Sequence, residues 1–189
     1  MERRRSGGTS LARMGRASSD ECAQRSRRGC SMKRALIASE DGKFAQHNGF
    51  DWEGIQVAMK KNEKKGKAVA GGSTITQQLA KNLFLTPERS LLRKGEEAII
   101  TLMIETAWSK RRTFEVYLNV IEWGNGVFGA EAAARHYFAI SANQLSQEQA
   151  ARLAAMVPSP RYYDRNRNAA GLTRKAEVIL ARMPSAAVP

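Results

Sequence analysis

Large apolar residues are almost absent from Met1 to about Ser31, and from Met32 onward they return at the three-to-four-residue spacing of helices. The run "ALIASED" predicts a helix over Arg34–Glu40 that ends abruptly in two acids. A short helix is expected over Trp52–Asn62, followed by the lysine- and glycine-rich loop "KKNEKKGKAVAGG". In "GGSTITQQLAKNLF", Thr74 can cap a helix and Gln77, three residues later, can close the capping box. Ser90 can cap the next helix, which places Leu91, Leu92, Ala98, Ile99, Leu102 and Met103 at helical spacing. The second half of that helix is apolar on most sides, so it is expected to be central. Arg111–Ile121 predicts another helix, and Gly124, Gly126 and Gly129 mark a loop. Ser146 with Gln149 starts a capped helix that stops before Pro158, and Thr173–Met183 closes the domain. Strand signals are few. The expected fold class is mostly α.

The 189 residues suit one domain with a real core. The composition shift places the folded domain at residues 32–189, behind an Arg/Ser/Gly-rich basic tail over residues 1–31 that is expected to be disordered. A formal net charge of +13 points to anionic partners: nucleic acid, anionic lipid headgroups or phosphate-bearing substrates. Cys22 and Cys30 have no metal-type spacing, which argues against a zinc site or a disulfide framework. The longest strongly apolar stretch, Ala98–Ile104, is too short to span a bilayer, and no signal-type apolar segment follows Arg3, Arg4 and Arg5. No membrane anchor is expected in this sequence.

Two carboxylates draw attention. At a helix C-terminus the macrodipole disfavours the charge of Glu40, and partial burial acts the same way. Both would raise its pKa toward neutrality, which suits a general base or acid. The plainer reading pairs Glu40 with Lys43 on the surface. Glu97 lies one turn after Arg93 on the same helical face, an arrangement that is usually a modest surface contact. Between them, Gly71 and Gly72 permit close approach to a ligand, and the helix start near Thr74 can meet an anion. Lys81, Arg89, Arg93 and Lys94 add cations able to hold a diphosphate. A capped helix with solvated lysines explains the Thr74/Gln77 pair but not the clustered cations. His47 reads as structural, and His136 has no partner at metal-ligand spacing. Trp123 reads as a core anchor, and Tyr162 and Tyr163 as a cluster packed at a helix exit.

Five motifs then occur in order: "EDGKFAQHNG" (Glu40–Gly49), "GGSTITQQLAKN" (Gly71–Asn82), "RKGEE" (Arg93–Glu97), "KRRTFEVYLN" (Lys110–Asn119) and "RKAEVIL" (Arg174–Leu180). Together they make the chain resemble the monofunctional biosynthetic peptidoglycan glycosyltransferases, relatives of the glycosyltransferase domain in bifunctional penicillin-binding proteins. The likeness continues through "WGNGVFGAEAAARHYF" and "LSQEQAARLAAMVPSPRYYDR" and covers nearly everything after Met32.

The resemblance implies a lysozyme-like, mostly helical domain of two lobes with a central cleft, polymerising lipid II into glycan strands. It makes Glu40 the base for the acceptor sugar's 4-hydroxyl, with inversion at the anomeric carbon and release of undecaprenyl diphosphate. Glu97 would be the second catalytic carboxylate, helping to stabilise the donor diphosphate or its metal. Ser73, Gln77, Gln78, Lys81, Asn82 and Arg89 would line the diphosphate site, and Arg93 and Lys94 would add positive potential. The sequence itself requires no cofactor and assigns no metal ligands, although Mg or Mn can accompany a diphosphate. Implied partners are lipid II, the growing chain, an anionic membrane surface and other cell-wall synthases, with no nucleic acid. The implied location is the periplasmic face of the inner membrane.

Members normally carry a transmembrane helix just ahead of the first motif, where this chain has its arginine- and serine-rich stretch. Thr113 and Phe114 stand where the fourth motif usually has Ile-Leu, and no S-x-x-K or K-T-G motif for transpeptidation follows. Two other classes compete with the enzyme: a basic nucleic-acid-binding protein, and an inactive remnant that associates with cell-wall synthases.

Overall fold

A computed structural model describes residues 31–66, 71–86 and 90–189. Apart from Ser31, the expected tail lies outside the described residues, as do Cys22, Cys30 and Arg89. The described chain is mostly helical: α1 (Ser31–Glu40), α2 (Trp52–Lys65), α3 (Ile75–Phe84), α4 (Leu91–Ala107), α5 (Lys110–Val120), α6 (Ala130–Phe138), α7 (Gln147–Met156), α8 (Pro160–Arg165) and α9 (Ala170–Arg182). Short 3-10 turns at Ala142–Gln144 and Met183–Ser185 complete it.

Local chemistry sets most of the boundaries. The Thr74 hydroxyl accepts the Gln77 amide, and the Gln77 side chain accepts the Thr74 amide, so the capping box forms in full. The Ser146/Gln149 box does the same for α7, and Ser90 and Ser109 cap α4 and α5. Asp51 caps α2 through the Gly54 amide, and Gly66 ends that helix in the left-handed conformation at φ 59°. The glycine-dense segment expected as a loop contains a small antiparallel hairpin, β1 (Glu122–Gly124) with β2 (Val127–Phe128). Strands of three and two residues carry too little alternation to be legible in sequence.

One core runs through the described chain. On one side α7 packs between α1 and α9; on the other α3 packs against α4 and α5. Met32, Leu36 and Ile37 of α1 join Leu153 and Leu172 to Ile75, Leu79, Phe114 and Tyr117. Trp123 is fully buried and donates its indole N–H to the Leu153 carbonyl at 3.0 Å, the anchor role expected of it. Asp164 on α8 accepts the Tyr137 hydroxyl at 2.9 Å and the Asn125 amide at 3.3 Å, which fixes the hairpin to α6 and α8. Tyr163 is buried beside it, whereas Tyr162 is exposed.

The expectation for α4 is overturned. Its second half is not central: Ile99 is 61% exposed and Met103 63% exposed, with Leu102 half in solvent. Only Glu97, Thr101 and Ile104 of this helix are buried. The α3–α5 body covers one stripe of α4 and no described element covers the rest. All the large apolar side chains exposed among the described residues, except Phe128, Tyr162 and Val178, lie on α2–α4 or at the α4 entrance. Among the described residues, no helix is long and apolar enough to cross a membrane.

Thr113 and Phe114 both lie in the core, and the Thr113 hydroxyl has no hydrogen-bond partner among the described residues. A buried orphan hydroxyl costs about 1–3 kcal/mol. Thr113→Val keeps the shape and removes that cost, so it should raise Tm by roughly 2–4 °C in a thermal melt. An unchanged or lower Tm would show that the hydroxyl is satisfied in solution.

Candidate active site

The site begins where α1 ends. The Leu36–Ile37 stripe holds α1 in the core, and the chain leaves it through Glu40 and Asp41. The two neighbours do different work. Asp41 is buried, accepts the Ile75 amide at 3.0 Å and meets His47 Nε2 at 2.9 Å. It thereby ties the end of α1 to the first turn of α3, where the exposed helix amides favour a carboxylate. His47 has the structural role expected of it; its Nδ1 is buried and has no partner among the described residues.

Glu40 is only partly exposed at this junction. Gln78 donates to its Oε2 at 2.9 Å and Ser39 to its Oε1 at 2.9 Å. Burial pushes the Glu40 carboxyl above the usual carboxylate range, and the nearby Asp41 adds to the rise. The Gln78 and Ser39 hydrogen bonds and the charge of Lys175 pull against it, but burial wins. The surface reading fails on geometry, because Lys43 pairs with Glu53 instead.

Gln78 looks inward: one end of its amide reaches Glu40, and the other accepts the Tyr117 hydroxyl at 2.8 Å. Its buried neighbour Gln77 points about a quarter-turn round the helix from it. Together with Gly72, Ser73 and Lys94, Gln77 lines a pocket of about 250 Å³ whose far wall is Ile55, Ala58, Met59 and Asn62 of α2. Residues from the second and third motifs therefore converge on one cleft. The α2 wall was not legible beforehand, because its residues belong to no motif.

Glu97 is 3% exposed, and its carboxylate is paired with Lys94 rather than with Arg93. The spacing admits both partners, and the fold gives the contact to Lys94. Arg93 is partly buried with its Nε unpartnered among the described residues. Lys81 and Asn82, one turn beyond Gln77 and Gln78, are exposed. Arg89 cannot be placed with them, since it is outside the described residues. A second brace stands behind the site: Glu105 accepts the Thr76 hydroxyl and pairs with Lys110 at 2.8 Å, and Lys110 sits 4.6 Å over the Phe44 ring.

The arrangement brings a desolvated carboxylate to Gln78 of α3 and a pocket that carries Lys94 to the adjacent Gln77. Among the described residues, no group of three or more His, Cys, Asp or Glu side chains is placed to hold a metal ion.

Comparison with known proteins identifies the family. The family model described as Transglycosylase matches residues 7–184. A biosynthetic peptidoglycan transglycosylase of Dechloromonas aromatica is 75% identical over 158 residues, covering 84% of this chain and 68% of that protein. Proteins of the same name from Methylobacillus flagellatus and Chromobacterium violaceum are 68% and 64% identical, again over 84% of this chain and over 69% and 70% of their own lengths. Motifs, helical architecture and matched length coincide, and the chain belongs to the transglycosylase family.

Proposed function

We propose that this chain is a peptidoglycan glycosyltransferase of bacterial cell-wall synthesis that joins lipid II units into glycan strands. The observation that carries the reading is Glu40: a carboxylate raised in pKa, held by two hydrogen bonds, with the next residue along α3 from its Gln78 partner lining a pocket that carries Lys94.

In the reaction, Glu40 takes the proton of the acceptor sugar's 4-hydroxyl as that oxygen attacks the anomeric carbon of the lipid-linked donor. The bond from that carbon to the diphosphate oxygen breaks, the configuration inverts, and undecaprenyl diphosphate departs with the bonding pair. The leaving group is stabilised by Lys94, Arg93 and Lys81, with Arg89 in the same role; Ser73, Gln77 and Asn82 line its path. Glu97 acts by orienting the Lys94 ammonium at the pocket. One buried carboxylate is also the kind of ligand that a divalent ion takes when it draws its remaining oxygens from a bound diphosphate and water.

The apolar face of α2–α4 fits a membrane surface. Leu91 is 93% exposed and Leu92 82%, next along the helix to Arg93 and Lys94. A shallow apolar face flanked by cations is the pattern of interfacial docking. It would hold the cleft against the periplasmic leaflet of the inner membrane, where lipid II and other cell-wall synthases work.

Glu40→Gln should reduce polymerisation of purified lipid II by roughly 100- to 10,000-fold, read as glycan strands on a gel. The same variant should melt higher than the parent at neutral pH. Folded Glu40 keeps its proton to higher pH than unfolded Glu40, so the unfolded chain binds fewer protons in that window and stability falls as pH rises through it. Removing the ionisation removes this loss, and the two melting curves should converge below the ordinary carboxylate range. Wild-type polymerisation matched by the variant would sink the base assignment.

Replacing Leu91 and Leu92 together with Ser should weaken sedimentation with vesicles containing phosphatidylglycerol by about 10-fold or more while leaving the melting temperature unchanged. Undiminished sedimentation would show that charge alone holds the chain to lipid.

A further inference from the structure

The hydrogen bonds that reach Glu40 through Gln78 run in one direction. Tyr117 donates its hydroxyl to Gln78 Oε1 at 2.8 Å, and Gln78 Nε2 donates to Glu40 Oε2 at 2.9 Å. A primary amide carries a donor and an acceptor of nearly the same shape, so sterics do not decide which end faces a carboxylate. We infer that Tyr117 is a positioning residue for the transfer reaction: through Gln78, its hydroxyl fixes which end of the amide meets Glu40 and so favours the ionised, proton-accepting carboxylate. This rests on the reading of Glu40 as the base.

Tyr117 is fully buried on α5, its ring stacked on Phe114 at 6.4 Å between centroids. Among the described residues, Gln78 Oε1 is the acceptor of its hydroxyl. Burial above all, then the charges of Glu40 and Asp41, hold the phenol well above its ordinary pKa, so it stays a donor. Turning the Gln78 amide around would leave the phenolic O–H unpaired in the interior, a costly state. The turned amide would also aim Oε1 at Glu40, and only a protonated carboxyl can donate to it. Tyr117 therefore disfavours the arrangement in which a protonated Glu40 donates to Gln78.

The other groups around Glu40 cannot set this direction. Lys175 of α9 attracts the charge of Glu40 from a distance and donates to the Tyr163 hydroxyl at 3.0 Å. Asp41 repels the same charge, and His47 is engaged with Asp41. Ser39 serves the opposite oxygen and also reaches the Ala154 carbonyl of α7 at 3.4 Å.

The test combines direct titration with kinetics. The protein is labelled with ¹³C at glutamate side-chain carboxyls, and the Glu40 signal is identified by its loss in Glu40→Gln. In Tyr117→Phe, which keeps the ring, the Glu40 midpoint should rise by about one pH unit, and the acid limb of kcat for lipid II polymerisation should rise with it. Gln78→Leu should shift the midpoint at least as far even where Tyr117→Phe folds poorly. Adding Tyr117→Phe to Gln78→Leu should then move it no further. An unmoved midpoint in Tyr117→Phe, or additive shifts in the double variant, overturns the relay. A midpoint that moves while the acid limb stays fixed supports the relay but removes Glu40 from the role of base. Absence of polymer from the parent chain, with the midpoint still moving, would overturn the proposed function and leave the relay standing.

Discussion

The fastening of α1 to α3 by Asp41 is the constraint on which the site depends. A buried carboxylate is tolerated only when its lone pairs are taken up, and Asp41 divides its own between the Ile75 amide and His47. That junction places the last residue of α1 beside the second turn of α3, which is the reason Gln78 can reach Glu40 at all. It also orients the neighbouring Gln77, which closes the capping box and lines the pocket. One acid spends its charge on architecture so that its neighbour can keep a charge of variable ownership. Glu105 repeats the device one layer back, tying α3 to α4 and α5 through Thr76 and Lys110.

How much of this was legible in the sequence follows from the range of the interactions. The capping boxes at Thr74/Gln77 and Ser146/Gln149 are contacts within four residues, and both formed as their spacing predicts. Glu40 at a helix end was equally local. Glu97 was recognisable, but its partner was not: Arg93 and Lys94 are both within reach along the helix, and spacing alone does not choose between them. Tyr117 gave no signal as a site residue, because a tyrosine at a helical core position reads as packing. Its use depends on a contact with Gln78, thirty-nine residues away in the chain. The α2 wall of the pocket was hidden for the same reason.

The misreading of α4 has a different physical origin. An apolar helix surface carries no mark of what covers it; protein interior and lipid acyl chains ask for the same side chains. Sequence periodicity therefore found the stripe and assigned it to the core. The fold shows that Glu97, Thr101 and Ile104 already fill the inward face, leaving Ile99, Leu102 and Met103 with no described neighbour to bury them.

That geometry gives α4 two duties on the proposed function. Its early turns bring Lys94 and Glu97 to the pocket, and its outer face carries apolar side chains along much of the same helix. A substrate with a diphosphate joined to a long hydrocarbon chain presents the same two chemistries in sequence. If one rigid helix meets both, the depth at which the apolar face settles in the interface also sets the height of the cationic pocket above it. The two are then a single positional variable. A change on the outer face would alter transfer without touching any charged group, through a displaced diphosphate rather than a weakened one, since effective molarity falls steeply with small misplacements of reacting groups.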